Sequence, residues 1–208
     1  MTKISITDRR SLRRRLDAHD VPWRNWGHGL SRGLSKLYSL IKTGECNLWR
    51  DTDGRLIIEV KTVAVDIFHI ETEHILEWLC EREYHLKKGG VRRRPYGSTF
   101  GANIRPHETP VHAARRGLVT ELGFRCHMRL AFVAEAYMPI ERSLSFPGMF
   151  VSRHKFNYAG VICDRIYNQD GYTRRKRSKN SPAKKIVYGW LKQDMRRAPY
   201  AFRRFIET

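Results

Sequence analysis

The residues best placed to do chemistry lie in one stretch. It opens with Gly101, runs through Arg105, Pro106, His107 and Glu108, and continues as Thr109-Pro110-Val111-His112-Ala113-Ala114-Arg115-Arg116-Gly117-Leu118-Val119-Thr120-Glu121-Leu122-Gly123-Phe124. Thr109 is a good N-cap, Pro110 suits the first helical position and Gly123 suits the residue after a helix. A helix over 110–122 is therefore predicted, with residues 95–108 as the loop that leads into it. Positions 117, 120 and 121 are spaced i, i+3, i+4 and share one helix face. Carboxylates there would gather a hard divalent cation such as Mg²⁺, with phosphate oxygens supplying further ligands. Glu121 is the one carboxylate among the three; Gly117 and Thr120 are the others.

This stretch resembles the box of the Nudix family, in which a glycine and a glutamate precede a helix reading Arg-Glu-apolar-x-Glu-Glu-x-Gly-apolar. The spacing from Glu108 to Arg116 matches, as does the spacing from Arg116 through Leu118 and Glu121 to Gly123 and Phe124. The upstream glycine is one residue out of step, because Ala102 holds its place and Gly101 precedes it. Gly89-Gly90-Val91-Arg92-Arg93-Arg94, Ser145-Phe146-Pro147-Gly148-Met149 and Tyr188-Gly189-Trp190 extend the likeness over roughly residues 45–192. The resemblance implies a Nudix-like α/β/α sandwich with a mixed sheet. It implies that Glu108 and Arg116 fix the loop–helix geometry and that Glu121 ligates Mg²⁺. It implies recognition of a nucleoside diphosphate linked to another group, with hydrolysis where the metal is held. Glu135, Glu141 and Asp164 are downstream acids that would have to replace the two lost ligands.

Charge points elsewhere. Lys and Arg number 40 against 21 Asp and Glu, a formal net charge of +19. Self-repulsion of that size opposes compaction, and a polyanion relieves it. The cations cluster at Arg13-Arg14-Arg15, Arg92-Arg93-Arg94 and Arg174-Arg175-Lys176-Arg177. Such runs contact phosphates and give affinity without sequence choice. A non-catalytic Nudix-like module that binds RNA or DNA, as a subunit of a ribonucleoprotein assembly, is thus the alternative function. A scaffold for an acidic protein is a third.

Other features carry blander readings. His107 and His112 flank the helix start and read as exposed histidines rather than proton carriers. Trp23 and Trp26 read as anchors of a terminal segment before they read as base-stacking groups. Cys46, Cys80, Cys126 and Cys163 are widely spaced without a CxxC pair, which argues against a zinc ribbon or a disulfide framework. Reduced thiols fit a cytoplasmic protein; mitochondrial targeting is left open by the basic N-terminus. No run of 18 apolar residues is present, so no membrane span is expected.

The elements that must position these groups follow from periodicity. Residues 6–18 read as a basic helix, and Leu34, Leu37, Leu40 and Ile41 mark a second that stops near Gly44. Together they form a basic helical N-terminal extension, residues 1–44. A Nudix-like domain follows at 45–192 and a basic C-terminal tail at 193–208. Asp51-Thr52-Asp53-Gly54 between β-rich runs signals a hairpin. Strands are expected at 61–70, 75–85, 91–94, 127–138, 151–164 and 186–191, with 173–185 as a basic loop.

Overall fold

The computed structural model describes the chain except residues 29–30, 73–74, 88, 94–97, 126–127, 176–182, 195 and 197–208. The described elements are mixed α/β, mostly antiparallel strands with a few helices. The chain divides into two units. The first holds Met1–Thr62, Asn103–Glu108 and Ala136–Lys155, and the second holds Val63–Ala102, Thr109–Glu135 and Phe156–Thr208.

In the first unit, α1 (Arg9–Asp17) starts at a capping box. The Asp8 carboxylate accepts from Ser11 N at 2.6 Å, and Asp8 N donates to Ser11 Oγ at 3.1 Å. Leu12 and Leu16 are spaced i, i+4, so they fall on one face, and both are fully buried. Helix α2 (Leu34–Lys42) adds Leu34, Leu37 and Leu40 to the same core. Strand β1 (Thr2–Ile4) pairs with β2 (Cys46–Arg50), and β2 pairs with the start of β3 (Leu56–Ile70), both antiparallel. The hairpin at Asp51 is present: its carboxylate accepts from Asp53 N at 3.0 Å and Arg55 N at 2.8 Å. Leu48, Leu56, Ile58, Val60, Phe146, Met149 and Val151 complete the core. Residues 1–44 are therefore built into this unit. They are not an extension added to a domain that begins at 45, because their buried leucines share one core with β2 and β3.

In the second unit, β3 continues and pairs with β4 (Ile75–Leu86), placing Phe68 opposite Trp78. Strand β4 pairs with β5 (Val91–Arg93) and with β10 (Ala183–Asp194), and β10 pairs with β9 (Tyr172–Arg175). Every one of these pairings is antiparallel, where a mixed sheet was expected. Residues 95–108, read as loop, contain the short strand β6 (Phe100–Asn103). Thr99 fixes its start: the fully buried hydroxyl accepts from Ile67 N at 2.9 Å and donates to Leu79 O. Residues 173–185, also read as loop, hold β9 and the start of β10. The tail expected from 193 begins inside β10, which runs to Asp194. Strands β7 (Leu130–Arg142) and β8 (Phe150–Val161) pair with each other and supply residues to both units.

No helix among the described residues is long and apolar enough to cross a membrane. Cys46 and Cys80 are buried, and burial pushes each thiol up to about 12; Cys163 is exposed. Cys126 lies outside the described residues.

Candidate nucleic-acid interface

The predicted helix exists in two pieces. Its α-helical part is α3 (Pro110–Gly117), capped by Thr109, whose hydroxyl accepts from His112 N at 3.4 Å. A π-helical turn (Leu118–Leu122) follows, and Gly123 ends it in the left-handed region at φ 84°. The stop residue is thus the one the sequence indicates, because only glycine takes that backbone freely. The change to i→i+5 bonding disturbs the α-spacing that put positions 117, 120 and 121 on one face. Gly117 is buried, Thr120 is exposed and donates back to Arg116 O at 3.0 Å, and Glu121 is half-buried.

Gly117 has an ordinary helical φ of −60°, so backbone freedom does not explain it. Space does. A Cβ at 117 would lie 2.2 Å from Cε2 of Phe100, which is itself buried. The ring of Phe100 occupies the room in which the Nudix-box carboxylate would begin. Glu121 acts near the buried Tyr188: burial first, then the charges of Glu121 and Glu81, raise that phenol. Glu108 accepts from Arg105 N at 2.9 Å within the first unit, whereas Arg116 and Glu121 belong to the second. Of the downstream acids, Glu141 pairs with Arg153 and Asp164 pairs with His69. Among the described residues, no three His, Cys, Asp or Glu side chains gather where they could hold a metal ion. Glu121 is the one carboxylate of the three helix positions, so a cation there would need phosphate oxygens for most of its shell.

The basic clusters fall on different elements. Helix α1 exposes Arg9, Arg10, Arg13, Arg14 and Arg15 while its other face is locked in the core. Two of these are held by aromatic rings, Arg13 at 5.6 Å from the Trp23 centroid and Arg9 at 5.7 Å from that of Tyr38. Trp23 also carries Arg24 at 4.6 Å and donates from Nε1 to Asp17 at 2.9 Å. Trp26 is buried and donates to Pro147 O at 2.9 Å, the anchoring role read from sequence.

In the second unit the registers Glu83↔Arg93, Glu83↔Val187 and Lys185↔Arg175 put Arg93, Lys185 and Arg175 on one sheet face. Glu83 offsets part of that charge, lying 3.6 Å from Arg93 and 2.9 Å from His85 Nε2. Arg174 takes the opposite face, in register with the buried Ile186, and its guanidinium reaches toward Gly123. Arg92 lies on β5 in register with Tyr84. Arg94, Lys176 and Arg177 lie outside the described residues. Among the described residues, positive charge is therefore densest on α1, where Asp8 and Asp17 offset part of it.

A polar cluster escaped the sequence reading. Buried His69 faces Glu77 Oε2 with Nδ1 at 3.2 Å and Asp164 Oδ1 with Nε2 at 3.0 Å. Tyr167 stacks on the imidazole at 3.8 Å and donates to Glu77 Oε2 at 2.6 Å. That hydrogen bond first, with burial and the Glu77 charge after it, pushes the Tyr167 phenol up to about 12. Glu77 is buried, so its contacts weigh more than the fully exposed one from Asp164. No sequence signal joins these four residues. No protein-family model matches the chain, and no curated protein matches it.

Proposed function

We propose that this chain binds nucleic acid through a sequence-independent phosphate contact, and that its Nudix-like helix serves as scaffold and not as a hydrolase metal site. One observation carries the reading: α1 turns five arginines outward while Leu12 and Leu16 are fully buried behind them. A helix clamped in this way presents its guanidiniums from a fixed backbone, so little backbone freedom is lost on binding. Each phosphate neutralised releases condensed counterions, which supplies the driving force. Planar guanidiniums suit phosphate better than ammonium groups do. A role as a subunit of a ribonucleoprotein assembly is the biological form that fits this chemistry.

The test is binding to labelled RNA and DNA across a salt series. Log affinity should fall linearly with log salt, with a slope near −0.9 per phosphate contacted on duplex DNA. Replacing Arg10, Arg14 and Arg15 by Gln should make that slope shallower while the thermal melt stays put. An unchanged slope removes α1 from the interface. Magnesium-dependent cleavage of a nucleoside-diphosphate derivative, lost in Glu121→Gln, would instead favour the hydrolase reading.

A further inference from the structure

Strand β7 behaves unlike the other long strands. From Tyr137 to Arg142 every residue is exposed, so both faces of the strand meet solvent. Tyr137 is 77% exposed, and Met138, Ile140 and Leu144 are 42%, 44% and 72% exposed. The exposed side chains are shared between the two faces of the strand, Tyr137 on one and Met138 and Ile140 on the other. The segment is nevertheless held firmly. Its connection to β8 is pinned by Ser143 N to Met149 O at 2.9 Å, by Trp26 Nε1 to Pro147 O at 2.9 Å and by Arg32 N to Ser145 O at 2.7 Å. Phe146 and Met149 are buried in the first unit's core.

Within this ribbon the Tyr137 ring lies flat on His154, with centroids 4.1 Å apart and planes 12° apart. One aromatic face is thereby backed by a second ring, and the outer face of a largely exposed tyrosine looks to solvent. Arg142, Arg153 and Lys155 stand on the same two strands, alternating in facing with Tyr137 and His154, and Glu141 is engaged by Arg153. An exposed, pre-oriented π-face on a ribbon that also carries cations is the combination that holds an unstacked base while the phosphate chain passes. A duplex buries its base faces in its own stack and offers nothing for the ring to cover.

Resting on the nucleic-acid reading above, we propose that the Tyr137–His154 pair is a base-stacking platform that makes this protein prefer single-stranded over duplex nucleic acid. Its occupant is one unpaired base of a strand bound mainly by phosphate contacts. The platform is indifferent to base identity, because every base has a π-face.

The experiment compares fluorescence anisotropy of a labelled oligothymidylate, an oligouridylate and a duplex of equal length. Tyr137→Ala should weaken single-strand binding by about 5- to 160-fold, the span of base-stacking losses on alanine substitution. Duplex binding and the salt slopes should be unchanged. Tyr137→Phe, which keeps the ring, should retain native affinity. A thermal melt of each variant checks that the fold is intact. Equal losses on duplex and single strand, or no loss on either, would overturn the platform while leaving the α1 reading standing. Failure of the native protein to bind any of the three probes at low salt would overturn both.

Discussion

Phe100 and Gly117 fit as plug and socket: the edge of the phenyl ring fills the space directly outside the helix where any side chain at 117 would start. Two effects compete when that glycine is replaced. Alanine gains about 1 kcal/mol of helix propensity over glycine. Overpacking a filled core costs about 1–3 kcal/mol. At 2.2 Å the clash is severe and falls on a buried ring, so packing wins. Gly117→Ala should lower the midpoint of urea unfolding, and Gly117→Glu should lower it further without creating metal-dependent turnover. Adding Phe100→Leu to Gly117→Ala should recover part of the loss. A stabilised Gly117→Ala protein would show that the ring yields freely.

Thr99 offers a second measurement. Its hydroxyl serves Ile67 N and Leu79 O together in a site closed to water. Valine has the same shape and no hydroxyl, so Thr99→Val leaves one buried donor and one buried acceptor unmatched. The expected loss is about 1–3 kcal/mol for each group stranded. Thr99→Ser should keep most of the native stability. Equal behaviour of the two variants in urea unfolding would assign the effect to the methyl group.

Tyr167 gives a pH dependence with a definite sign. Its phenol is raised from the ordinary 10 to about 12, chiefly because it donates to Glu77. The folded state therefore favours the protonated phenol. The resulting stability is fully present below about pH 10 and is lost as pH rises toward 12. The native protein should lose melting temperature over that window faster than Tyr167→Phe, which has no proton there to lose. Parallel curves for the two would remove Tyr167 from the linkage.

Asp8 works in the opposite direction. The amide of Ser11 is the main cause that holds its carboxyl below the usual value. Stability from this cap is present above about 3.8 and fades as pH falls through the folded value. Asp8→Ala should fray α1 and lower the melting temperature at neutral pH, by a margin that shrinks in acid. Asp8→Asn, which caps as well, should lie close to native. A constant gap between Asp8→Ala and native protein down to strong acid would contradict the assignment.

The parts of this fold that could be read from sequence are those set by local chemistry. Thr109, Pro110 and Gly123 bracket a helix because capping and left-handed backbone are properties of single residues. Asp51 and Gly54 announce their turn for the same reason. The failures have a common cause in tertiary context. Strand β9 looks like a basic loop because pairing with β10, rather than its own apolar residues, makes it a strand. Arginine density at 9–15 conceals Leu12 and Leu16, which tie α1 into a core. Gly117 reads as a missing ligand until Phe100 is seen beside it. His69, Glu77 and Asp164 meet across separations of 8 and 95 residues, which no local pattern encodes.

Burial of two of the thiols also shapes how the protein can be handled. Burial pushes the Cys46 and Cys80 thiols up to about 12, so both stay protonated at neutral pH, and neither is open to a reagent. Among the described cysteines, a maleimide then has one natural target, Cys163, immediately before the exposed Asp164 whose carboxylate meets His69 Nε2. The chain thus carries its own attachment point for a fluorophore or spin label, one residue from its most tightly knit polar cluster and on a different unit from the arginine helix.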